Sequence, residues 1–167
     1  RDCLLSRGLG DVYKRQVLEN KIAEYDAFLT KQAPAFTVEE LEEAMQKVMD
    51  QYAGGIGTHY QFNEKQLAMA EEKIKKLQIL AKGLAAADMH ELMFIYELKE
   101  RLTVCLTVIA HLRARKETRW HSFAENLDYP EKSDAWLCYV NSKKNGDQIT
   151  MIRRDLVKGG ETYEHRD

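Results

Sequence analysis

The sequence predicts a mainly α-helical domain, an up-and-down bundle of three or four helices followed by a small C-terminal β-hairpin. Two observations carry this prediction. Apolar residues recur at helical spacing through most of residues 17–118, as in amphipathic helices that pack on one another. Residues 136–142 and 148–154 instead alternate in polarity and flank Asn145-Gly146, a dipeptide typical of tight hairpin turns.

The first two helices are separated by a proline. Pro34 lies between them and cannot continue the first helix. Thr37 and Glu40 form a predicted capping box, in which each side chain accepts a hydrogen bond from the other residue's N–H, so the second helix begins here. The predicted apolar faces are Leu18, Ile22, Tyr25 and Leu29 in the first helix, and Val38, Leu41, Met45, Val48 and Tyr52 in the second.

A glycine cluster follows the second helix. Gly54, Gly55 and Gly57 could cradle a phosphate, because glycine lets backbone N–H groups approach a ligand closely. This cluster, however, follows a helix rather than a strand and lacks the spacing of a dinucleotide fingerprint. A helix C-terminus and a turn are therefore the favoured interpretation.

Two further helices are predicted from caps and apolar faces. Asn63 and Asp88 are the predicted N-caps of the third and fourth helices. The fourth helix, about residues 89–116, is apolar nearly all round between Leu102 and Leu112, which indicates the central helix of the bundle. The predicted faces are Leu67, Ala70, Ile74, Leu77, Ala81 and Leu84 in the third helix, and Leu98, Leu102, Cys105, Ile109 and Leu112 in the fourth.

Composition excludes several classes of function. A net charge of −2 with both signs mixed along 167 residues gives no sign of nucleic-acid binding or of direct membrane insertion. Three widely spaced cysteines argue against a disulfide framework and favour a reducing, cytoplasmic location. His90-Glu91 begins like a zinc-protease motif, but Phe94 stands where the second histidine is needed. We therefore predict no catalytic residue and no metal site.

The segment from Arg113 to Pro130 is the densest mixture of arginine, aromatic and acidic residues in the chain. Basic residues at the end of a helix stabilise its dipole, and that explains part of the pattern. The aromatic residues that follow have no such explanation, and arginine with aromatic residues is typical of protein interfaces. The predicted interface residues are Arg115, Glu117, Arg119, Trp120 and Tyr129.

Three short runs in this region, 115–119, 128–130 and 136–141, carry a family resemblance. They resemble the C-terminal region of the flavoprotein subunits of the succinate dehydrogenase and fumarate reductase family. Those subunits have an Arg-Lys-Glu-Ser/Thr-Arg run at the end of a long helix, an Asp-Tyr-Pro turn and a strand that begins with tryptophan. Trp120 stands where the dehydrogenases usually have glycine, and this, with WLCYVNSK, is similar to the adenylylsulfate reductase alpha-subunit branch.

The resemblance implies a role within a larger redox protein. Subunits of this family bind FAD in a domain upstream of the matched region and pass electrons to an iron–sulfur subunit. FAD is thus implied for the parent protein, and no cofactor site is expected in this chain, which alone would be inactive. The expected partners are the parent's flavin-binding domain and an iron–sulfur subunit, through which the protein could associate with a membrane. The alternative is a stand-alone helical interaction module without redox activity.

The first sixteen residues match nothing that follows them. Asp11–Gln16 looks like the translation of a sequencing adapter at a broken end of a metagenomic reading frame. Our hypothesis is that residues 1–16 are not native. The expected organisation is therefore a non-native segment at 1–16, a helical bundle at 17–118, and a docking loop, β-hairpin and polar tail at 119–167.

Overall fold

The computed structural model describes residues 3–146 and 148–157. Within these residues, four α-helices and two small sheets follow one another along the chain. The predicted mainly α-helical fold with a C-terminal hairpin is confirmed. The elements are α1 (Cys3–Leu29), α2 (Val38–Tyr52), β1 (Gln61–Phe62), α3 (Glu64–Ala81), α4 (Met89–Ala114), β2 (Glu125–Asn126), β3 (Cys138–Asn145) and β4 (Gln148–Asp155).

The core lies between α2, α3 and α4. The apolar faces predicted for these helices are turned toward one another, and Ala70, Ile74 and Leu102 are completely shielded from solvent. Arg113 lies in the last turn of α4, and its Nε donates to Oε1 of Glu64 at 2.8 Å. The last turn of α4 therefore lies beside the first turn of α3. These two helices therefore run in opposite directions, as in an up-and-down bundle.

The apolar face predicted for α1 is wrong in its first half. Leu18 and Ile22 are exposed, whereas Phe28, which the predicted face omits, is buried. The reason is that α1 packs against the core in its last turns, where Tyr25, Phe28 and Leu29 lie. The turns that carry Leu18 and Ile22 lie outside the core, so the helical spacing of these two residues buries neither of them.

The predicted caps are confirmed. Thr37 and Glu40 form the capping box of α2, with both reciprocal hydrogen bonds present. Asn63 accepts a hydrogen bond from the N–H of Gln66 at the start of α3, and Asp88 caps α4 in the same way. The helices thus begin where short polar side chains satisfy backbone N–H groups that lack a helical partner.

Two short strands that the sequence did not suggest join distant parts of the chain. β1 pairs in parallel with β2, with Gln61 opposite Glu125 and Phe62 opposite Asn126. The N–H of Glu125 donates to the carbonyl of Tyr60 at 2.9 Å. This pairing holds the turn before α3 against the loop that follows α4.

The hairpin is longer than predicted. β3 and β4 pair from Cys138 opposite Asp155 to Asn145 opposite Gln148, so residues 143–145 belong to the strand and not to the loop. The loop is consequently a tight one, with Gly146 at a positive φ of 60° that favours glycine. The hairpin lies along the C-terminal half of α4, where Ile149 and Leu106 line the same cleft. The predicted polar tail, from residue 158 onward, lies outside the described residues.

Candidate functional site: the segment after α4

The predicted interface segment is built around a buried carboxylate. The side chain of Glu117 is fully shielded from solvent. Its two oxygens accept hydrogen bonds from Nε and Nη2 of Arg119 at 2.9 and 3.0 Å, and Oε2 also accepts the N–H of Ser133 at 3.0 Å. Arg115 donates to it from the other side. A buried carboxylate with this many donors is satisfied internally and has no oxygen to offer a partner.

The two arginines around Glu117 also hold the loop before the hairpin. Arg115 donates to the carbonyls of Trp136 and Cys138 at 3.0 and 3.1 Å, and Arg119 donates to the carbonyl of Ser133 at 3.1 Å. We call Arg115, Glu117 and Arg119 the ion cluster. It fastens the segment after α4 to residues 133–138, so it positions this segment from within.

The alternation of the three charges explains how they meet. Arg115 leaves α4 with extended backbone, at φ −85° and ψ 110°. In extended chain, residues two apart point to the same side, so a basic, an acidic and a second basic residue at that spacing can form one cluster. This period-two spacing is the signal from which the ion cluster could have been predicted.

Thr118, which the sequence prediction passed over, forms the opposite side of the same segment. It is almost completely buried. Its hydroxyl accepts the N–H of Asn126 at 2.9 Å and donates to the carbonyl of Tyr129 at 2.9 Å. Asn126 in turn accepts the N–H of Asp128. These bonds fix the Asp-Tyr-Pro turn against the segment after α4.

Asp128 helps to cap a helix that lies far from it in the sequence. Its Oδ2 accepts the N–H of Glu64 at 2.7 Å, at the first turn of α3. A carboxylate at a helix N-terminus satisfies a free N–H group and stabilises the helix dipole. The turn after α4 therefore contributes to the start of α3, beside the local cap from Asn63.

The remaining predicted interface residues face solvent. Trp120 is 69% exposed and Tyr129 is 41% exposed, with its ring 5.2 Å from Nζ of Lys116. Phe123 and Tyr60 are exposed as well. All four aromatic residues are carried by the two segments that β1 and β2 join. We call Tyr60, Trp120, Phe123 and Tyr129 the aromatic edge. Aromatic residues are enriched at protein interaction surfaces.

The five predicted interface residues thus divide into two groups. The residues of the ion cluster bind one another and the loop before the hairpin, whereas Trp120 and Tyr129 face solvent. His121, which follows Trp120, places Nδ1 3.4 Å from Oε1 of Glu125 and is exposed. In residues 3–146 and 148–157 no group of three or more His, Cys, Asp and Glu side chains is placed to hold a metal ion.

The glycine turn does not fit the phosphates of a flavin. Gly54 has a positive φ of 76° just beyond α2, as the sequence predicted for a helix end. The N–H of Gly57 donates to Oδ1 of Asp50 at 3.0 Å, so a carboxylate occupies the place where a phosphate would bind. A Cβ at Gly55 would lie 2.4 Å from the Cα of Asp50. These glycines serve close packing against α2.

The acid stability of the chain should depend on Glu117. Burial alone would raise the pKa of this carboxyl, but hydrogen bonds from Arg119, Ser133 and Arg115 outweigh it and lower the pKa to about 2, from an ordinary value of 4.5. The unfolded chain therefore binds the proton first as the pH falls. The contribution of Glu117 to the free energy of unfolding is therefore fully present above pH 4.5 and is lost as the pH falls toward 2.

We expect the melting temperature, followed by circular dichroism, to fall between pH 5 and pH 2.5, and to fall less steeply in Glu117→Gln. Part of the fall will remain in the variant, because hydrogen bonds from Lys21 and Lys99 lower the pKa of Glu24 to about 2 as well. Equal slopes for the two proteins would show that Glu117 is not the group that titrates.

Comparisons with known proteins identify the family. Residues 42–161 match the model of the family described as fumarate reductase flavoprotein C-term. The chain belongs to this family. The predicted resemblance to the succinate dehydrogenase and fumarate reductase flavoproteins, including the adenylylsulfate reductase branch, is confirmed.

Three relatives illustrate the family likeness. The adenylylsulfate reductase alpha subunit of Megalodesulfovibrio gigas is 34% identical over 98 residues, which are 58% of this chain and 15% of that protein. The structure of adenylylsulfate reductase from Archaeoglobus fulgidus aligns with a TM-score of 0.78 at 31% identity, over 92% of this chain and 26% of that one. Quinol fumarate reductase of E. coli aligns with a TM-score of 0.70 at 19% identity, over 90% of this chain and 26% of that one, and shows the same fold.

The chain therefore spans only a minor part of the length of these relatives. None of the helices in the described part of the chain combines the length and the apolar character needed to cross a bilayer. The family is one of flavoproteins, and the part matched here is its C-terminal region.

Proposed function

We propose that this chain is the C-terminal helical domain of a FAD-dependent oxidoreductase flavoprotein subunit, in which it braces the flavin domain and contacts an electron-transfer partner. Identities of 31% and 34% to adenylylsulfate reductases, against 19% to fumarate reductase, favour the adenylylsulfate reductase branch. FAD and the substrate would bind in the parent's upstream domain, since the glycine turn of this chain is closed by Asp50.

The observation that carries the proposal is the division of the segment after α4. The ion cluster fastens the segment from within, and the aromatic edge is left facing solvent. Tryptophan and tyrosine side chains carry much of the energy of protein interfaces. Trp120 and Tyr129 are accordingly the proposed contacts, and Arg115, Glu117 and Arg119 position them.

The proposed parent can be checked in the source DNA. We expect the reading frame upstream of Val17 to encode a glycine-rich FAD-binding motif some hundreds of codons earlier. A start codon directly before Val17 would favour the stand-alone interaction module and would overturn the proposed parent. This observation does not depend on any interface.

The contact itself is tested by substitution in the complete flavoprotein subunit. We expect Trp120→Ser to weaken binding to the iron–sulfur subunit by about tenfold or more, measured by calorimetry, because a tryptophan at the centre of an interface typically contributes 2 kcal/mol or more. Leu137→Ser is the matched control, since Leu137 is 57% exposed but belongs to the loop before the hairpin. Equal affinities for Trp120→Ser and the unsubstituted subunit would contradict a contact through the aromatic edge.

A further inference from the structure

A second surface lies away from the aromatic edge. The last turns of α1, the C-terminal half of α3, the middle of α4 and the tip of the hairpin enclose an open groove of about 970 Å³. Its walls carry six lysines and one carboxylate, Glu24. The lysines are Lys31, Lys75, Lys82, Lys99, Lys143 and Lys144. We call this the lysine groove.

Three of these six lysines already bind a carboxylate or a carbonyl within the chain. Nζ of Lys99 donates to Oε1 of Glu24 at 2.6 Å, and Nζ of Lys75 pairs with Glu71 at 2.5 Å. Nζ of Lys31 lies 3.1 Å from the carbonyl of Lys82. The one carboxylate of the groove is thus neutralised by Lys99, with Lys21 also bound to it.

Two lysines that face the groove have no ion pair with a carboxylate among the residues that the structure describes, Lys82 and Lys144. They come from two separate elements, the C-terminal end of α3 and the tip of the hairpin. Lys144 lies opposite Ile149 and shares its face of the hairpin, whereas Lys143 lies opposite Thr150 on the other face. A concave surface lined by charges of one sign concentrates the field and favours ligands of the opposite sign.

The apolar floor of the groove indicates which class of anionic ligand it would bind. It is apolar, with Ile79 at 65% exposure and with Leu106 and Ile149 beside it. Phe28 also lines the groove but is itself buried, so its ring offers no open face on which a base could stack. An apolar floor beside basic side chains suits a segment that carries both aliphatic and acidic side chains.

We propose that the lysine groove binds an acidic segment of a partner protein, with aliphatic side chains on the floor and carboxylates at Lys82 and Lys144. The site is distinct from the aromatic edge, because Trp120 and Tyr129 do not line it. It therefore goes beyond the contact to an electron-transfer partner and does not depend on that contact.

The test uses the whole chain and a fluorescein-labelled twelve-residue peptide of alternating glutamate and leucine. We expect fluorescence anisotropy to show saturable binding that weakens as salt is raised, since ion pairs at an open groove are screened. A peptide of alternating lysine and leucine should not bind. Equal binding of both peptides would overturn the proposal, as would tighter binding of a single-stranded oligonucleotide or of anionic lipid vesicles than of the acidic peptide.

Substitutions locate the binding. The double variant Lys82→Glu with Lys144→Glu should bind the acidic peptide about tenfold or more weakly, because like charges then face each other. The matched control reverses two exposed lysines outside the groove, and it should bind as the unsubstituted chain does. These are Lys65 and Lys132.

A milder variant, Lys82→Gln with Lys144→Gln, removes charge without adding repulsion and guards against loss of folding. It should still weaken binding severalfold, with an unchanged melting temperature. Unaltered affinity in this variant and in the charge-reversed variant would exclude the groove as the binding site.

Discussion

Replacing Glu117 by Gln is expected to lower the free energy of unfolding by about 2–3 kcal/mol. The glutamine keeps the size of the side chain but has an NH2 group in place of one acceptor oxygen, and it removes the negative charge that Arg115 and Arg119 share. The loss stays below that of a fully buried ion pair, because both arginines are partly exposed and keep their hydrogen bonds to backbone carbonyls. Urea unfolding followed by circular dichroism measures the change directly.

Glu131→Gln is the matched control for this experiment. Glu131 lies in the same loop region and is exposed, so the same chemical change should alter stability by no more than about 0.5 kcal/mol. If Glu117→Gln and Glu131→Gln lost similar amounts, the ion cluster would not be holding the segment after α4.

Replacing Leu102 by Ala should cost about 2–5 kcal/mol, the second large effect that we expect. Leu102 is completely buried in the middle of α4, and its removal leaves a cavity among side chains of the surrounding helices. Tightly packed helices relax only partly around such a cavity, so the loss exceeds the transfer energy of the missing carbons. The same urea experiment provides the measurement.

Val104, two residues further along α4, supplies the comparison. It is 60% exposed, so Val104→Ala should change stability by no more than about 0.5 kcal/mol in either direction. The pair distinguishes the two faces of a helix that is apolar nearly all round. Equal losses at the two positions would mean that both faces of α4 are covered.

The helices and their faces could be predicted because the signals are local. The capping residues Thr37, Asn63 and Asp88 act within one turn, and the faces of α3 and α4 repeat over many turns. Each such signal needs only the neighbouring residues to be interpreted. The hairpin is local as well, and its strands were misjudged only where Lys143 and Lys144 resemble loop residues.

The features that the sequence did not predict depend on residues far away along the chain. Leu18 and Ile22 have helical spacing, but nothing in their own sequence shows that the bundle ends before it reaches them. Similarly, Asp128 caps a helix that begins 64 residues earlier, which no local pattern reveals. Whether the carboxylate of Glu117 turns inward or outward likewise depends on Ser133 and the loop around it, which lie outside its own segment.

The small parallel pairing of β1 with β2 has a consequence for the order of folding. Gln61 and Glu125 are 64 residues apart, and the chain between them contains all of α3 and α4. Closing so long a loop costs conformational entropy, and two residue pairs alone cannot repay it. The pairing must therefore form after α3 and α4 have folded back on each other. The surface that displays Trp120 and Tyr129 is thus completed late, and newly synthesised chains do not present it until the helices beneath it are in place.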